Sequence, residues 1–269
     1  MRFKMEICFL SDTGKMRKNN EDNALGDDAL GLALVADGMG GHSSGEVASR
    51  LAVKVTRDKF DSMQHTGLKP GSYDEKYSLE ANQLGFAVQL ANSIIYEAGN
   101  STPENKGMGT TLSALLLNKN KVSLAHIGDS RIYLFRDGVL EQITEDHSLV
   151  MDHVRKGLLT LEQAEKSPLQ NILTRALGAQ KAPVVDLREI EVFEKDRFLL
   201  CTDGLFKAVP EAKIAEIMKA NDDSGKACEI LVSEANSNGG PDNITVGIAA
   251  IKKKNLKETV SDMLKKSYA

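Results

Sequence analysis

The chain has 269 residues, a formal net charge of -4 and 41% hydrophobic side chains. That composition supplies a full core for one compact domain. Its slight acidic balance excludes a general nucleic-acid binder, which needs a basic surplus to neutralise phosphates along a polymer; small phosphorylated molecules and phosphoproteins stay open as partners.

Cys8, Cys201 and Cys228 are far apart and each set in an apolar stretch. They read as buried thiols of a reducing compartment, not as a disulfide framework or a thiolate metal site. No apolar run approaches the roughly 18 residues of a membrane span, and MRFKMEICFLSD is too short and interrupted for a signal peptide. A cytoplasmic location is expected, and a monomer, since nothing demands an oligomer.

Residues 3–10 read as a strand, and 29–36 (ALGLALVA) as a second, buried on both faces. Ser43 and Glu46 have capping-box spacing, and Val47, Ala48, Leu51, Ala52 and Val55 then recur at helical period. A second helix is expected from about Ser78 to Ala98, with Leu84, Val88, Ala91, Ile94 and Ile95 inward and Gly99 as its stop. Residues 109–118, 121–127, 131–136 and 139–143 are short β-rich runs separated by turn residues, a meander of hairpins. Residues 146–182 form a polar, mostly helical insert with Thr160 and Gln163 at a helix start. Strands resume at 184–193 and 197–202, helices fit 210–220 and 224–236, and NITVGIAAI closes the sheet. This order suits an α+β layered fold with sheets in the middle.

The aspartates fall at the ends of these strands. Asp37 ends LALVA, Asp129 ends VSLAHIG, Asp203 ends RFLLCT and Asp242 immediately precedes NITVGIAA. Four unpaired carboxylates converging at one edge of a sheet stack repel one another unless divalent cations neutralise them. The five histidines, His42, His65, His126, His147 and His153, show no zinc spacing. All-oxygen sites with few dedicated ligands favour Mg²⁺ or Mn²⁺, which keep several waters. Two such metals sharing a carboxylate could generate a bridging hydroxide at neutral pH, the chemistry of phosphate ester hydrolysis.

After Asp37 the chain reads GMGGHSSGE. A metal against Asp37 could also take the Gly38 carbonyl, with Gly40 and Gly41 turning the chain away from the site; an ordinary Gly-rich turn with Ser43 as N-cap fits the same residues. A nucleotide-phosphate loop does not, because both glycine fingerprints are missing. In SDTGKMRKNNED, Arg17 precedes Glu21 and Asp22 by four and five residues. Its guanidinium next to a carboxylate cluster could clamp two phosphate oxygens, or the stretch could be a solvated loop.

Taken together, SDTGKMRKNNED, VADGMGGH, GMGTTLSALLL, HIGDSRIYLFRDG, ITEDHSL, NILTRALG, LLCTDGL and GGPDNITV resemble, in order and spacing, the metal-dependent protein serine/threonine phosphatases of type 2C in their compact bacterial form. The resemblance implies a four-layer α-β-β-α sandwich, two central antiparallel β-sheets flanked by helical pairs, with a binuclear metal centre at one end. It implies that Asp37 bridges two Mn²⁺ or Mg²⁺ ions, with the Gly38 carbonyl and water-mediated Glu21 and Asp22 on one and Asp203 and Asp242 on the other. Asp129 and Asp203 would hold a weaker third ion, and Arg17 the phosphoryl group.

The implied reaction is direct attack by metal-activated water on phosphoserine or phosphothreonine. Some members of the family carry a histidine after the Asp-Gly pair as an acid; Met39 stands there in this chain, and His42 lies three residues on. Residues 1–251 would form the domain, with 146–182 as the flap of bacterial members and 252–269 as a basic amphipathic extension. The expected partners are phosphoproteins, including a Ser/Thr kinase and the substrates whose phosphorylation it makes. A silent phosphoprotein-binding module and a hydrolase of small phosphoesters are the rival readings.

Overall fold

The computed structural model describes residues 3–40 and 44–255. The expectations for Ser43, His42, Gly41 and residues 256–269 lie outside these.

The first three strands, β1 (Phe3–Asp12), β2 (Asp22–Asp27) and β3 (Leu32–Met39), lead into two long helices, α1 (Ser44–Thr66) and α2 (Leu79–Ser101). The meander follows as β4 (Gly109–Thr110), β5 (Leu112–Asn118), β6 (Lys121–Ile127), β7 (Arg131–Arg136) and β8 (Val139–Gln142). After α3 (Leu149–Arg155) and α4 (Leu161–Glu165), the chain returns as β9 (Asp186–Glu191) and β10 (Arg197–Cys201). It then forms α5 (Asp203–Phe206), α6 (Glu211–Ala220), α7 (Ser224–Ser237) and β11 (Ile244–Lys253). One sheet runs β1-β11-β10-β7-β8 and the other β2-β3-β5-β6-β9, with β4 on β3; all pairings are antiparallel.

Alternation along the central strands builds the layers. In β3, Leu32, Leu34 and Ala36 pack toward α1 and α2, whereas Ala33 and Val35 face the other sheet. In β10, Leu199 and Cys201 face the layer of α6 and α7, whereas Phe198 and Leu200 point between the sheets. Both faces of these strands are covered, so their sequences read as continuous apolar runs. The expected α-β-β-α sandwich results.

Several boundaries differ from expectation for physical reasons. β2 (DNALGD) has little apolar content and escapes a hydrophobicity reading; pairing with β3 makes it a strand. α2 runs through the buried Gly99 to Ser101 and ends before the Thr102-Pro103 pair, which cannot continue it. Ile94 lies just off the inward face and is 38% exposed, whereas Ala91 and Ile95 are buried. The insert 146–182 is mostly irregular, holding only the seven-residue α3 and five-residue α4. The two helices bury only Val150 and Ala164, and Leu158, Leu161, Leu169 and Ile172 of the insert are exposed, so little apolar face is available to stabilise longer helices; the Thr160–Gln163 capping box is present as expected. The extension starts later than residue 252, because Lys252 and Lys253 pair with Lys4 and Phe3 in the β1–β11 ladder.

Among the cysteines, Cys201 and Cys228 are buried and Cys8 half-buried, and all three are free. No helix of the described residues is long and apolar enough to cross a membrane.

Candidate metal centre

The ends of strands from both sheets meet at one edge of the sandwich. Asp37 ends the buried part of β3, directly across the ladder from Asp22 on β2. Like charges in directly opposed positions destabilise a sheet. Asp203 opens α5 just after β10, Asp129 lies in the β6–β7 turn, and Asp242 lies two residues before β11. All four neighbours, Asp22, Asp203, Asp129 and Asp242, act on Asp37. The structure thus brings together the aspartates singled out in the sequence.

Hydrogen bonds from uncharged residues fix this cluster. The Asp37 amide donates to Thr111 Oγ1 (2.8 Å), and its carbonyl accepts from Thr110 Oγ1 (2.8 Å) and the Thr111 amide (2.9 Å). Thr111 Oγ1 also meets Ser130 Oγ at 2.7 Å, tying β3 to the Asp129 turn. Asp22 Oδ2 accepts from Thr202 Oγ1 (2.8 Å) and Thr245 Oγ1 (2.7 Å), across the gap between the sheets. Asn243 Oδ1 accepts the Glu21 amide at 2.9 Å, while its Nδ2 donates to the Thr13 and Asn19 carbonyls. Thr110, Thr111, Ser130, Thr202, Asn243 and Thr245 were not foreseen as site residues. Their signal was their place inside the quoted motifs, beside the acids.

Gly38 and Gly204, each following an aspartate, allow the close approach. A Cβ on Gly38 would stand 2.1 Å from the Gly45 carbonyl oxygen, and one on Gly204 2.0 Å from that of Asn243. Gly204→Ala is therefore expected to destabilise the protein by about 1–3 kcal/mol, seen as a lower urea midpoint; an unchanged midpoint would refute the tight approach of α5 to the Asn243 backbone.

The electrostatics are those of crowded, buried carboxylates. Asp22, Asp129 and Asp203 are 7%, 8% and 9% exposed. Burial first, and repulsion from Asp203 and Asp242 next, push the Asp22 carboxyl up to about 7, against the hydrogen bonds from Thr245 and Thr202. Burial and Asp203 push Asp129 up to about 7 as well, opposed by Lys207. Asp37 keeps some solvent contact, yet desolvation and its four acidic neighbours raise it well above the carboxylate range. Glu21 is raised by desolvation, with Asp242 and Glu46 adding to it against Arg17.

Two buried oxygens, Asp22 Oδ1 and Asp203 Oδ1, have no hydrogen-bond partner. Orphaned carboxylate oxygens among mutually repelling acids fit hard divalent cations. Among the described residues no three His, Cys, Asp or Glu side chains converge closely enough to enclose one ion by themselves.

The cations of the chain sit at the rim. Arg17 Nη2 donates to Asp242 Oδ2 at 2.8 Å, and its side chain is half exposed. Desolvation opposes its charge, but Asp242, Asp37 and Glu21 hold it above its ordinary value. Lys207, one turn beyond Asp203, reaches Asp203 Oδ2 at 2.5 Å. Arg131 grips Asp146 through both oxygens and stacks over Phe206. Neither Lys207 nor Arg131 was singled out from sequence; for Lys207 the signal was its i+4 spacing from Asp203.

Residues 17–231 match the family described as Protein phosphatase 2C. The serine/threonine phosphatase stp of Listeria innocua is 39% identical over 245 residues, covering 90% of this chain and 94% of that protein. The crystal structure of the Mycobacterium tuberculosis serine/threonine phosphatase PstP/Ppp superposes with a TM-score of 0.80 at 36% identity, covering 93% of this chain and 99% of the other. The catalytic domain of PstP in complex with two manganese ions superposes with a TM-score of 0.78 over the same shares, also at 36% identity.

Proposed function

The chain belongs to the protein phosphatase 2C family and is a serine/threonine protein phosphatase; from that premise we propose that its acidic cluster is a binuclear Mn²⁺ or Mg²⁺ centre. Asp37, the Gly38 carbonyl, Asp203 and Asp242 would hold the ions, with Glu21 and Asp22 supporting the centre through water. The observation that carries this reading is the pair of orphaned oxygens on Asp22 and Asp203 amid acids that all repel Asp37. When bound, such ions acidify water at neutral pH and draw charge from the phosphoryl oxygens.

The remaining work falls to the chain. The Thr110–Thr111 hydrogen bonds hold the Asp37 backbone in one position, and the two threonine hydroxyls fix Asp22 through Oδ2 while its Oδ1 has no hydrogen-bond partner. Arg17 carries a planar fork of donors that matches two phosphoryl oxygens. Met39, after the Asp37-Gly38 pair, has no proton to give, so the proton for the leaving serine or threonine oxygen would come from another donor, water held at the centre being the most economical.

Arg17→Ala is expected to lower kcat/KM roughly ten- to a hundred-fold, chiefly through KM. Steady-state kinetics with unchanged KM and kcat would remove Arg17 from phosphate binding.

We read residues 1–251 as the catalytic domain and 146–182 as a flap in substrate selection. The insert's Asn171 is bonded to Lys207, which itself holds Asp203, so it borders the cluster. Its exposed Leu158, Leu161, Leu169 and Ile172 offer apolar footing for the sequence around a phosphorylated residue. The substrates are phosphoproteins made by a bacterial Ser/Thr kinase, whose signal the enzyme reverses. The test is hydrolysis of phosphothreonine peptides of differing flanks against a small aryl phosphate. Strong dependence of kcat/KM on the flanks supports a phosphoprotein substrate; equal rates for all would favour small phosphoesters.

A further inference from the structure

Asp203 and Asp129 form a second acidic pair, on the β10 and β7 side of the cluster. Both are buried, and the charge of Asp203 acts on Asp129. The cation between strand end and flap is not left to solution. Lys207 follows α5, so its side chain folds back one turn onto Asp203 Oδ2 at 2.5 Å, with only 26% of it exposed. Its ammonium also acts on Asp129 and Asp37, and it donates to Asn171 Oδ1 of the 146–182 insert at 2.7 Å. The other cation near Asp129, Arg131, is committed to Asp146 by two-fold contact at 2.8–3.1 Å.

We propose that Lys207 is a built-in cation for the Asp129–Asp203 pair, competing with a metal ion there and fastening the flap at Asn171 to the catalytic cluster. The proposal rests on the binuclear reading but adds to it. One oxygen of Asp203 is satisfied by Lys207, and the other, Oδ1, is left without a partner for the binuclear centre. An ion arriving between Asp129 and Asp203 must displace an ammonium already hydrogen-bonded to Asp203, and doing so releases Asn171. Occupancy of that position and freedom of the flap are thereby coupled.

The test is calorimetric titration of the chelator-stripped full chain with Mn²⁺, comparing wild type, Lys207→Met and Lys207→Met/Asp129→Asn. Amide hydrogen exchange over residues 169–174 is followed without metal in the first two. Lys207→Met is expected to gain an additional ion, bound roughly ten-fold or more tightly than any third ion in wild type, and the Asp129→Asn background should erase that gain. Exchange across the insert should quicken in Lys207→Met. Lys207→Gln, which keeps a polar end but no charge, provides the same comparison if the methionine variant folds poorly.

If wild type binds a third ion as tightly as Lys207→Met, or the gained ion ignores Asp129→Asn, the role of Lys207 is overturned while the binuclear centre stands. If wild type binds no Mn²⁺ at all, both fall.

Discussion

Asp203→Ala and Asp242→Ala are each expected to lower phosphopeptide turnover by a factor on the order of 10³ or more, with the fold retained. Neither side chain is part of the apolar core. Asp203 meets Lys207 through Oδ2 and leaves Oδ1 without a partner, and Asp242 contacts Arg17 and the amide of its own neighbour, Asn243. Both belong to the set of carboxylates that repel Asp37. Each substitution should therefore destroy activity while the metal-free protein keeps a cooperative thermal melt. That pairing of outcomes separates a site residue from a structural one, whose loss lowers both. Full turnover in either variant would sink the metal assignment.

The metal-free protein is also expected to lose stability steadily as the pH is raised. Asp22, ordinarily at 3.8, is pushed up to about 7 by burial and by Asp203 and Asp242; Asp129 behaves alike, with Asp203 the first charge acting on it. Between 3.8 and about 7 these two carboxyls hold more protons in the folded chain than in the unfolded one, which outweighs the opposing contribution of buried His126, lowered from 6.5 to about 3, so the unfolding free energy falls with pH. The contribution is whole below the unfolded value and lost as pH rises through the folded one. The loss is on the order of a few kcal/mol over that range. Saturating Mn²⁺ should remove the slope, because the ion supplies the positive charge that the proton supplied. Thermal melts in chelator at stepped pH, repeated with Mn²⁺ and with Asp22→Asn, check this: the variant should flatten the curve, and a stability that climbs with pH in chelator would contradict the crowded-carboxylate description.

Much of this arrangement was legible in the sequence, for physical reasons. Asp37 and Asp203 close runs that are apolar because both faces are covered, and a carboxylate there stands out against its context. The glycines after them mark close backbone approach, which Gly38 and Gly204 exhibit. What could not be read depends on register between distant strands. Asp22 meets Thr202 and Thr245 across separations of 180 and 223 residues, and no local pattern announces such a partnership. β2 was hidden because an edge strand held by its ladder needs little hydrophobicity. The insert misled because Thr160 and Gln163 do cap a helix, but one of five residues with almost nothing to bury. Lys207 was overlooked because a lysine one turn after an aspartate is ordinarily a solvated surface pair.

The most direct measurement is release of inorganic phosphate from a phosphothreonine peptide by the chelator-stripped protein, with and without added Mn²⁺, beside Asp37→Ala under the same conditions. Activity that is absent after stripping, returns with Mn²⁺ and never returns in Asp37→Ala is the predicted result. Undiminished hydrolysis by the stripped protein, or by Asp37→Ala, would contradict the binuclear centre.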